Sequence, residues 1–426
     1  MTLLPRVLIV APIKFNQTTG SGVTMGNLFR GWPLDRLAQV HSDGDNEPDL
    51  SVCTRYFHLP NEIFWQASLG KTAVSLLTDT TSYHLGRREQ LLGHWLNPER
   101  LLAWCRDFAP DLIYARPHDR PSFYNWLPPF LSQALGVPYV TRVLDDWPTR
   151  YEKSPSRAKR LFWQALPKRD LQRAFDGAAA NLAISQEMAD AFAERYKRPF
   201  TYFHNCIDAS AWDDVPKRYE RGDIFNLVYI GTVVEDKELH SLIDLRHVLR
   251  ELSAAGHRVR LTIYGPDTYR PTVKQHLVED GLVVHGGLFP MAEKAAVLSG
   301  ADLLVLPINF DNQSQAYVGY SFQTKVPEYM ASGTPTLVYG PPSSPNVRYA
   351  QQDKWAAVVA ERDLAKLRQQ VTDLIESQTL RYTLGQRARQ LAFTQHDGTA
   401  VRARFRALLA ILPRKEYRRR VEGLEQ

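Results

Sequence analysis

Short runs of Val, Ile and Leu alternate with longer amphipathic stretches along this 426-residue chain, and no other feature narrows its fold so far. Apolar runs too short for a helix, separated by helical stretches, mark βαβ units whose parallel strands are buried on both faces. The expected strands are RVLIVA (6–11), PDLIYA (110–115), PYVTRVLD (138–145), GAAANLAIS (177–185), NLVYIG (226–231), RLTIYG (260–265), LVVHGG (282–287), ADLLVLP (301–307) and TPTLVYG (334–340). The pattern restarts near residue 226, after the polar, Pro-containing segment NCIDASAWDDVPKRYERGD, which reads as a linker. The expected fold is α/β: two Rossmann-like domains, each a doubly wound parallel sheet, facing a cleft. The first spans 1–215 and the second 216–395. The helical tail 396–426 should pack back toward the N-terminal domain. Open α/β sheets bind ligands beyond the carboxyl ends of their strands, so functional residues are sought there.

Composition removes several classes of function. Apolar residues at 44% and charged residues at 23% are the mixture of a globular chain. The three cysteines, Cys53, Cys105 and Cys206, lie far apart without metal-ligand spacing, which points to no disulfide framework, no zinc site and a reducing cytoplasm. The opening MTLLPRVLIVAPIKF lacks a basic leader and reads as a strand, and no stretch is apolar enough to span a membrane. A net charge of +6 favours anionic partners, but no base-reading helix, zinc module or aromatic sheet motif argues for nucleic acid.

Several strand ends carry chemistry-bearing residues. Gly20, Gly22 and Gly26 follow the first strand, where they either guide backbone N–H groups to an anion or form a plain connecting turn; their spacing is not that of a dinucleotide fingerprint. Asp145 and Asp146 end the third run, and Asp146 serves equally well as a catalytic carboxylate or as the N-cap of a helix. Arg116, His118 and Arg120 follow the second and suit an anion or a solvated loop. In the second half, Gly231 ends a strand and Lys237 lies just beyond, where a lysine can neutralise a diphosphate. The segment YSFQTKVPEYMASGTPTLVYG presents Ser321, Thr324 and Lys325 and then Glu328 at a helix start, where a carboxylate can accept both hydroxyls of a cis-diol.

The string K-x-x-E-Y-M-A-S-G-T-P-T-L from Lys325 resembles the donor-binding helix of retaining glycosyltransferases of the GT-B fold, family 4 in particular. NLAISQEMADAFAERY with FHNCIDASAW, IGTVVEDKEL, LTIYGPD and HGGLFPMAEKAAVLSGADLLVLP are similar to that family's other passages, in the same order, over roughly residues 175–412. The resemblance implies a nucleotide-sugar donor held by Gly231, Lys237 on the diphosphate and Glu328 on the ribose. It also implies transfer with retention to an acceptor bound by the N-terminal half. The expected donor-binding set is Gly22, Gly231, Thr232, Lys237, Gly265, Ser321, Thr324, Lys325 and Glu328; the expected catalytic set is Asp146, Lys237 and Glu328. No metal or other cofactor is expected. Two departures stand out: Thr232 replaces an arginine common after the strand glycine, and Tyr320 replaces a glutamate eight residues before Glu328. They keep open a second reading, a catalytically silent nucleotide-sugar-binding or partner-binding scaffold.

The expected role is bacterial cell-surface polysaccharide synthesis on a glycan or lipid-linked acceptor, in the cytoplasm or at the inner membrane face. In SPSRAKRLFWQALPKRDLQRAF, Arg157, Lys159, Arg160, Lys168, Arg169 and Arg173 interleave with Leu161, Phe162, Trp163 and Leu166. Such a pattern suits either an anionic membrane surface or an ordinary amphipathic helix. The terminal RKEYRRR adds basic charge to either.

Overall fold

In a computed structural model, residues 4–59, 98–118, 122–165, 167–212, 215–277 and 280–424 are described. The chain divides into two compact units, Met1–Phe203 with Ala400–Gln426, and His204–Thr399.

The first unit is built on seven parallel strands in the order β3-β2-β1-β4-β5-β6-β7: β1 (Val7–Val10), β2 (Leu37–His41), β3 (Tyr56–His58), β4 (Leu112–Ala115), β5 (Tyr139–Arg142), β6 (Ala180–Ala183) and β7 (Phe200–Tyr202). Every residue of β1 and β4 is buried, as uninterrupted apolar runs require when helices cover both faces of a sheet. Leu8, Val10, Ile113, Leu127 and Leu131 form one side of this core. The C-terminal helix Gly398–Leu424 groups with this unit, and its buried Phe405 meets Phe29 edge-on at 5.1 Å.

The second unit has six parallel strands in the order β10-β9-β8-β11-β12-β13: β8 (Phe225–Ile230), β9 (Val259–Tyr264), β10 (Val283–Gly287), β11 (Leu303–Pro307), β12 (Thr336–Tyr339) and β13 (Ala357–Val359). Its core joins Leu227, Leu261, Ile263 and Val305 to Leu242, Val248 and Leu249 of the helix Leu239–Ala254. In this order the chain winds away from β8 on one side and from β11 on the other. A crevice therefore opens beyond the carboxyl ends of these two neighbours.

The division between units falls before residue 215, because the segment expected to be a linker packs onto the second unit. The Trp212 carbonyl accepts from Arg389 at 2.7 Å, Tyr219 donates its hydroxyl to the Gly333 carbonyl at 2.9 Å, and Ile207 bridges Asp397.

Four strands are not among those expected from the sequence. β3, β7 and β13 have three residues each and lie at sheet edges; β3 and β7 are half-exposed and mixed in polarity, while β13 (AVV) is apolar but too short to stand out as a strand. β2 hides a polar residue: Gln39 is fully buried, accepting from the Phe15 amide at 3.0 Å and donating to the Ile13 carbonyl at 2.9 Å.

Candidate functional site

In the second unit the sequence-predicted residues gather at the carboxyl end of β8. Gly231 follows the strand with φ at +148°, and a Cβ there would lie 2.7 Å from Lys325 Nζ and 2.9 Å from the Tyr229 hydroxyl. Gly265, after β9, faces it so closely that its own Cβ would come 2.4 Å from the Gly231 carbonyl oxygen. Only glycine at both places lets the backbone and an ammonium approach one another. Asn309, fully buried beyond β11, ties down the segment that follows β8: its Oδ1 accepts from the Ser241 amide at 3.1 Å and its Nδ2 donates to the Glu235 carbonyl at 2.7 Å.

Lys325 Nζ sits 4.1 Å from the centre of the Tyr229 ring, within cation–π reach. Burial pulls this ammonium down to about 8; Glu238 and Glu328 act against the fall, and Lys237 adds to it. Lys237 places its own Nζ 4.8 Å from the Tyr317 ring. Both cations act on Glu238, 5% exposed, whose Oε1 accepts from the Thr232 hydroxyl at 2.7 Å and from the Val234 amide at 3.3 Å. Burial pushes the Glu238 carboxyl upward, opposed by Lys325, Lys237 and these two hydrogen bonds.

Glu328 stands in the first turn of the helix Val326–Ala331, which begins with Pro327 in its first turn. The fully buried Tyr329 fixes this helix to the strand, its hydroxyl accepting from the Ile230 amide at 2.9 Å. Glu328 Oε1 accepts from Lys294 Nζ at 2.9 Å. Upstream, the Thr324 carbonyl accepts from the buried Asn205 at 2.6 Å and the Ser321 carbonyl from Asn346 at 3.1 Å. These anchor the strap that carries Lys325.

The arrangement thus brings together Gly231, Thr232, Lys237, Gly265, Lys325 and Glu328, with Ser321 and Thr324 in the supporting strap. Two lysine ammoniums beside a glycine-lined strand end can neutralise a diphosphate, and a carboxylate held at a helix start can take a diol. Sequence reasoning missed Lys294, Glu238, Tyr229 and Asn309. Glu238 adjoins Lys237 in a charged run that looks like solvated surface. Lys294 is 34 residues from its partner, beyond the reach of local pattern.

In the first unit two of the expected residues are engaged within the fold. Asp146, 1% exposed, caps the helix Trp147–Glu152 through the Thr149 amide at 3.2 Å and hydroxyl at 2.8 Å, and both its oxygens are held by Arg195 at 2.8 and 3.0 Å. In the fold this carboxylate therefore acts as a helix cap and as the partner of Arg195, the second of the two roles its place at a strand end allows. Gly22 packs beneath a self-bonded turn: its Cβ would meet Asn16 Nδ2 at 2.3 Å, while Asn16 Oδ1 takes the Thr18 and Thr19 amides and Thr19 Oγ1 takes that of Gly22. The amides of Thr18, Thr19 and Gly22 are thus bonded within the turn, the plain connecting role that the sequence also allowed. Arg116, 5% exposed, reaches Ser21 Oγ at 3.3 Å, and the His118 amide donates to Asn125. Arg120 lies outside the described residues.

Two family profiles match the chain, one in each half. The profile for glycosyl transferases group 1 matches residues 224–377, and that for Glycosyltransferase Family 4 matches residues 64–211. No curated protein matches the chain significantly. Among solved structures, Anabaena Alr3699/HepE in complex with UDP and glucose is similar at 13% identity over 95% of this chain and 99% of that one, with a TM-score of 0.64. Sucrose-phosphate synthase from Thermosynechococcus elongatus shares 13% identity over 98% of this chain and 100% of its own, with a TM-score of 0.65. An E. coli structure described as trehalose-6-phosphate bound with UDP-2-fluoro glucose gives 10% identity, coverages of 95% and 99%, and a TM-score of 0.60. At such identities the likeness is one of fold.

Proposed function

From the chain's membership of the family 4-like glycosyltransferases of GT-B architecture, we propose that it transfers a sugar from a nucleoside-diphosphate sugar, held by the second unit, to a glycan or lipid-linked acceptor held by the first. The observation that supports this most is the placing of Lys325 against Gly231 with Lys237 and Glu328 near enough for their charges to act on it. As the glycosidic bond to phosphate breaks, charge grows on the leaving diphosphate, and the two ammoniums stabilise it where it grows. A charge-assisted hydrogen bond of this kind is worth about 1.5–3 kcal/mol. Glu328 holds the ribose, and Gly231 with Gly265 leaves room for the phosphates. The acceptor hydroxyl attacks on the face the diphosphate leaves and passes its proton to the departing phosphate oxygen, so the glycosidic bond forms as the bond to phosphate breaks and the anomeric configuration is retained. Because lysines carry the phosphate charge, the reaction runs without a metal. Alr3699/HepE binds UDP and glucose, which makes UDP-sugars the first donors to try.

The acceptor end of the proposal is a role in bacterial cell-surface polysaccharide synthesis at the inner face of the cytoplasmic membrane. In the first unit Leu161 is 56% exposed on the helix Arg157–Ala165, with exposed Arg157 on the same helix and exposed Lys168 and Arg169 on the next, Pro167–Asp176. Trp163 instead turns inward, stacked on Tyr151 at 5.7 Å and donating to Glu152. Leu166 and the side chains of Phe162 and 414–420 lie outside the described residues. Among the described residues no helix is long and apolar enough to cross a membrane; the attachment proposed is a surface contact. A catalytically silent scaffold remains the second reading, favoured by Thr232, whose hydroxyl is committed to Glu238.

The test is thermal melting against UDP-, GDP-, ADP- and dTDP-sugars and the free nucleotides, because a ligand bound only by the folded state raises the melting temperature. A shift for one nucleotide, lost in Glu328→Ala, is the expected outcome. No shift with any of them removes the donor reading. A shift without sugar transfer to membrane extracts selects the scaffold.

A further inference from the structure

The ion pair between Lys294 and Glu328 is not accounted for by donor binding alone. Lys294 opens the helix Lys294–Gly300, and its Nζ reaches Oε1 of Glu328 at 2.9 Å with the two side chains only 16% and 17% exposed. A pair this far from water is not the weak, screened bridge of an open surface. Its two members come from separate elements, and Glu328 itself rides on a helix pinned to β8 through the Tyr329 hydroxyl. The carboxylate is therefore fixed at both ends, by backbone and by ammonium. Among the described residues no group donates to Oε2. A vicinal diol meeting this carboxylate finds Oε2 and the remaining lone pair of Oε1.

We propose that Lys294 is a positioning residue that locks the Glu328 carboxylate in the orientation that accepts the 2′- and 3′-hydroxyls of a ribose, and that it thereby sets a preference for ribonucleotides over deoxyribonucleotides. The inference rests on the reading of Glu328 as the ribose contact. A glutamate left to rotate must be ordered when ligand binds, and ordering one such side chain costs affinity that a pre-formed pair has already supplied. Lys325 also lies close enough to Glu328 to feel its charge. Its approach does not substitute for Lys294, because Lys325 is placed against Gly231 and the Tyr229 ring.

The experiment is calorimetric titration of UDP, GDP and ADP, each beside its 2′-deoxy counterpart, into the full-length protein and into Lys294→Met, Lys294→Arg and Glu328→Gln, with melting curves for each. In the wild-type protein the bound ribonucleotide is expected to be preferred by about tenfold, the worth of one hydrogen bond to a charged group. Lys294→Met should reduce that preference to about threefold or less, and Lys294→Arg should restore most of it, on the scale of ordering one side chain. If Lys294→Met melts lower but keeps the full preference, the pair is structural and the inference falls. If Lys294→Met binds the ribonucleotide more tightly, the lysine competes with the diol and the inference also falls. A preference lost in Glu328→Gln but kept in Lys294→Met overturns the role of Lys294 alone; no preference in the wild-type protein overturns the ribose reading with it. Should Lys294→Met fail to fold, Lys294→Gln carries the same comparison.

Discussion

Replacing Lys325 by Met should have two opposite effects, and their combination identifies what the lysine does. The substitution keeps most of the side-chain volume and removes the charge that sits 4.1 Å from the Tyr229 ring. In the unliganded protein the Lys325 pKa lies at about 8, below the ordinary lysine value, because burial disfavours the ammonium. The unfolded chain therefore binds more protons than the folded one between pH 8 and the ordinary lysine range, and stability rises with pH across that window. Below about pH 8 the penalty is present in full, so Lys325→Met should stabilise the empty protein at pH 7, by about 1–3 kcal/mol. Binding of UDP should move the other way. Loss of one charge-assisted hydrogen bond costs about 1.5–3 kcal/mol, or roughly ten- to a hundred-fold in Kd. In the wild-type protein UDP affinity should hold from pH 6.5 to about 8 and then fall, since binding above that point must first recapture a proton. Melting curves and UDP titrations at half-unit steps of pH measure both effects. A Lys325→Met variant that binds UDP as the wild-type protein does, or a wild-type profile flat through pH 9.5, refutes the assignment of Lys325 to the phosphates.

Four further outcomes follow from the same geometry. Glu238→Gln keeps an acceptor for Thr232 and Val234 but removes the charge that supports the Lys325 ammonium; the fall in UDP affinity should begin at lower pH, read in the same titrations. Gly231→Ala places a methyl 2.7 Å from Lys325 Nζ, and the displaced lysine should weaken UDP binding about tenfold while the melting curve registers a cost of about 1–3 kcal/mol. Asp146→Ala removes a helix cap and strands the Arg195 guanidinium, lowering stability by about 3–5 kcal/mol in urea unfolding with UDP affinity unchanged. Vesicle flotation of Leu161→Glu should show weaker retention on acidic lipid than the wild-type protein, and equal retention would set the membrane proposal aside.

What the sequence reveals of this chain depends on whether each residue's role is local. VLIV and LLVLP declare themselves as strands because both faces of a central parallel strand are buried and every position must be apolar. LAQVH does not, since Gln39 is satisfied by backbone groups of a segment over twenty residues earlier in the chain. Lys237 and Glu328 are legible by their offsets from a strand glycine and a helix start. Asp146 is ambiguous for the same reason: a strand-end carboxylate before a helix serves as a base or a cap, and only its distances to Thr149 and Arg195 decide.

The residues hidden from pattern are those that regulate charge in the site. Glu238 is the clearest case, because a carboxylate inside a phosphate site looks like an error when read alone. It repels the ligand and is itself costly to bury, yet Lys325 sits in surroundings that already bring its pKa to about 8 despite the help of Glu238. Without that help the Lys325 pKa would fall further below the ordinary lysine value, and a smaller share of the lysine would carry the charge the diphosphate needs. Thr232 fits the same logic: it hydrogen-bonds Glu238 where an arginine would instead add a third cation to the strand end and depress Lys325 further. The threonine, the buried glutamate and the lysine over Gly231 therefore form one electrostatic unit, and none of them can be exchanged without resetting the other two.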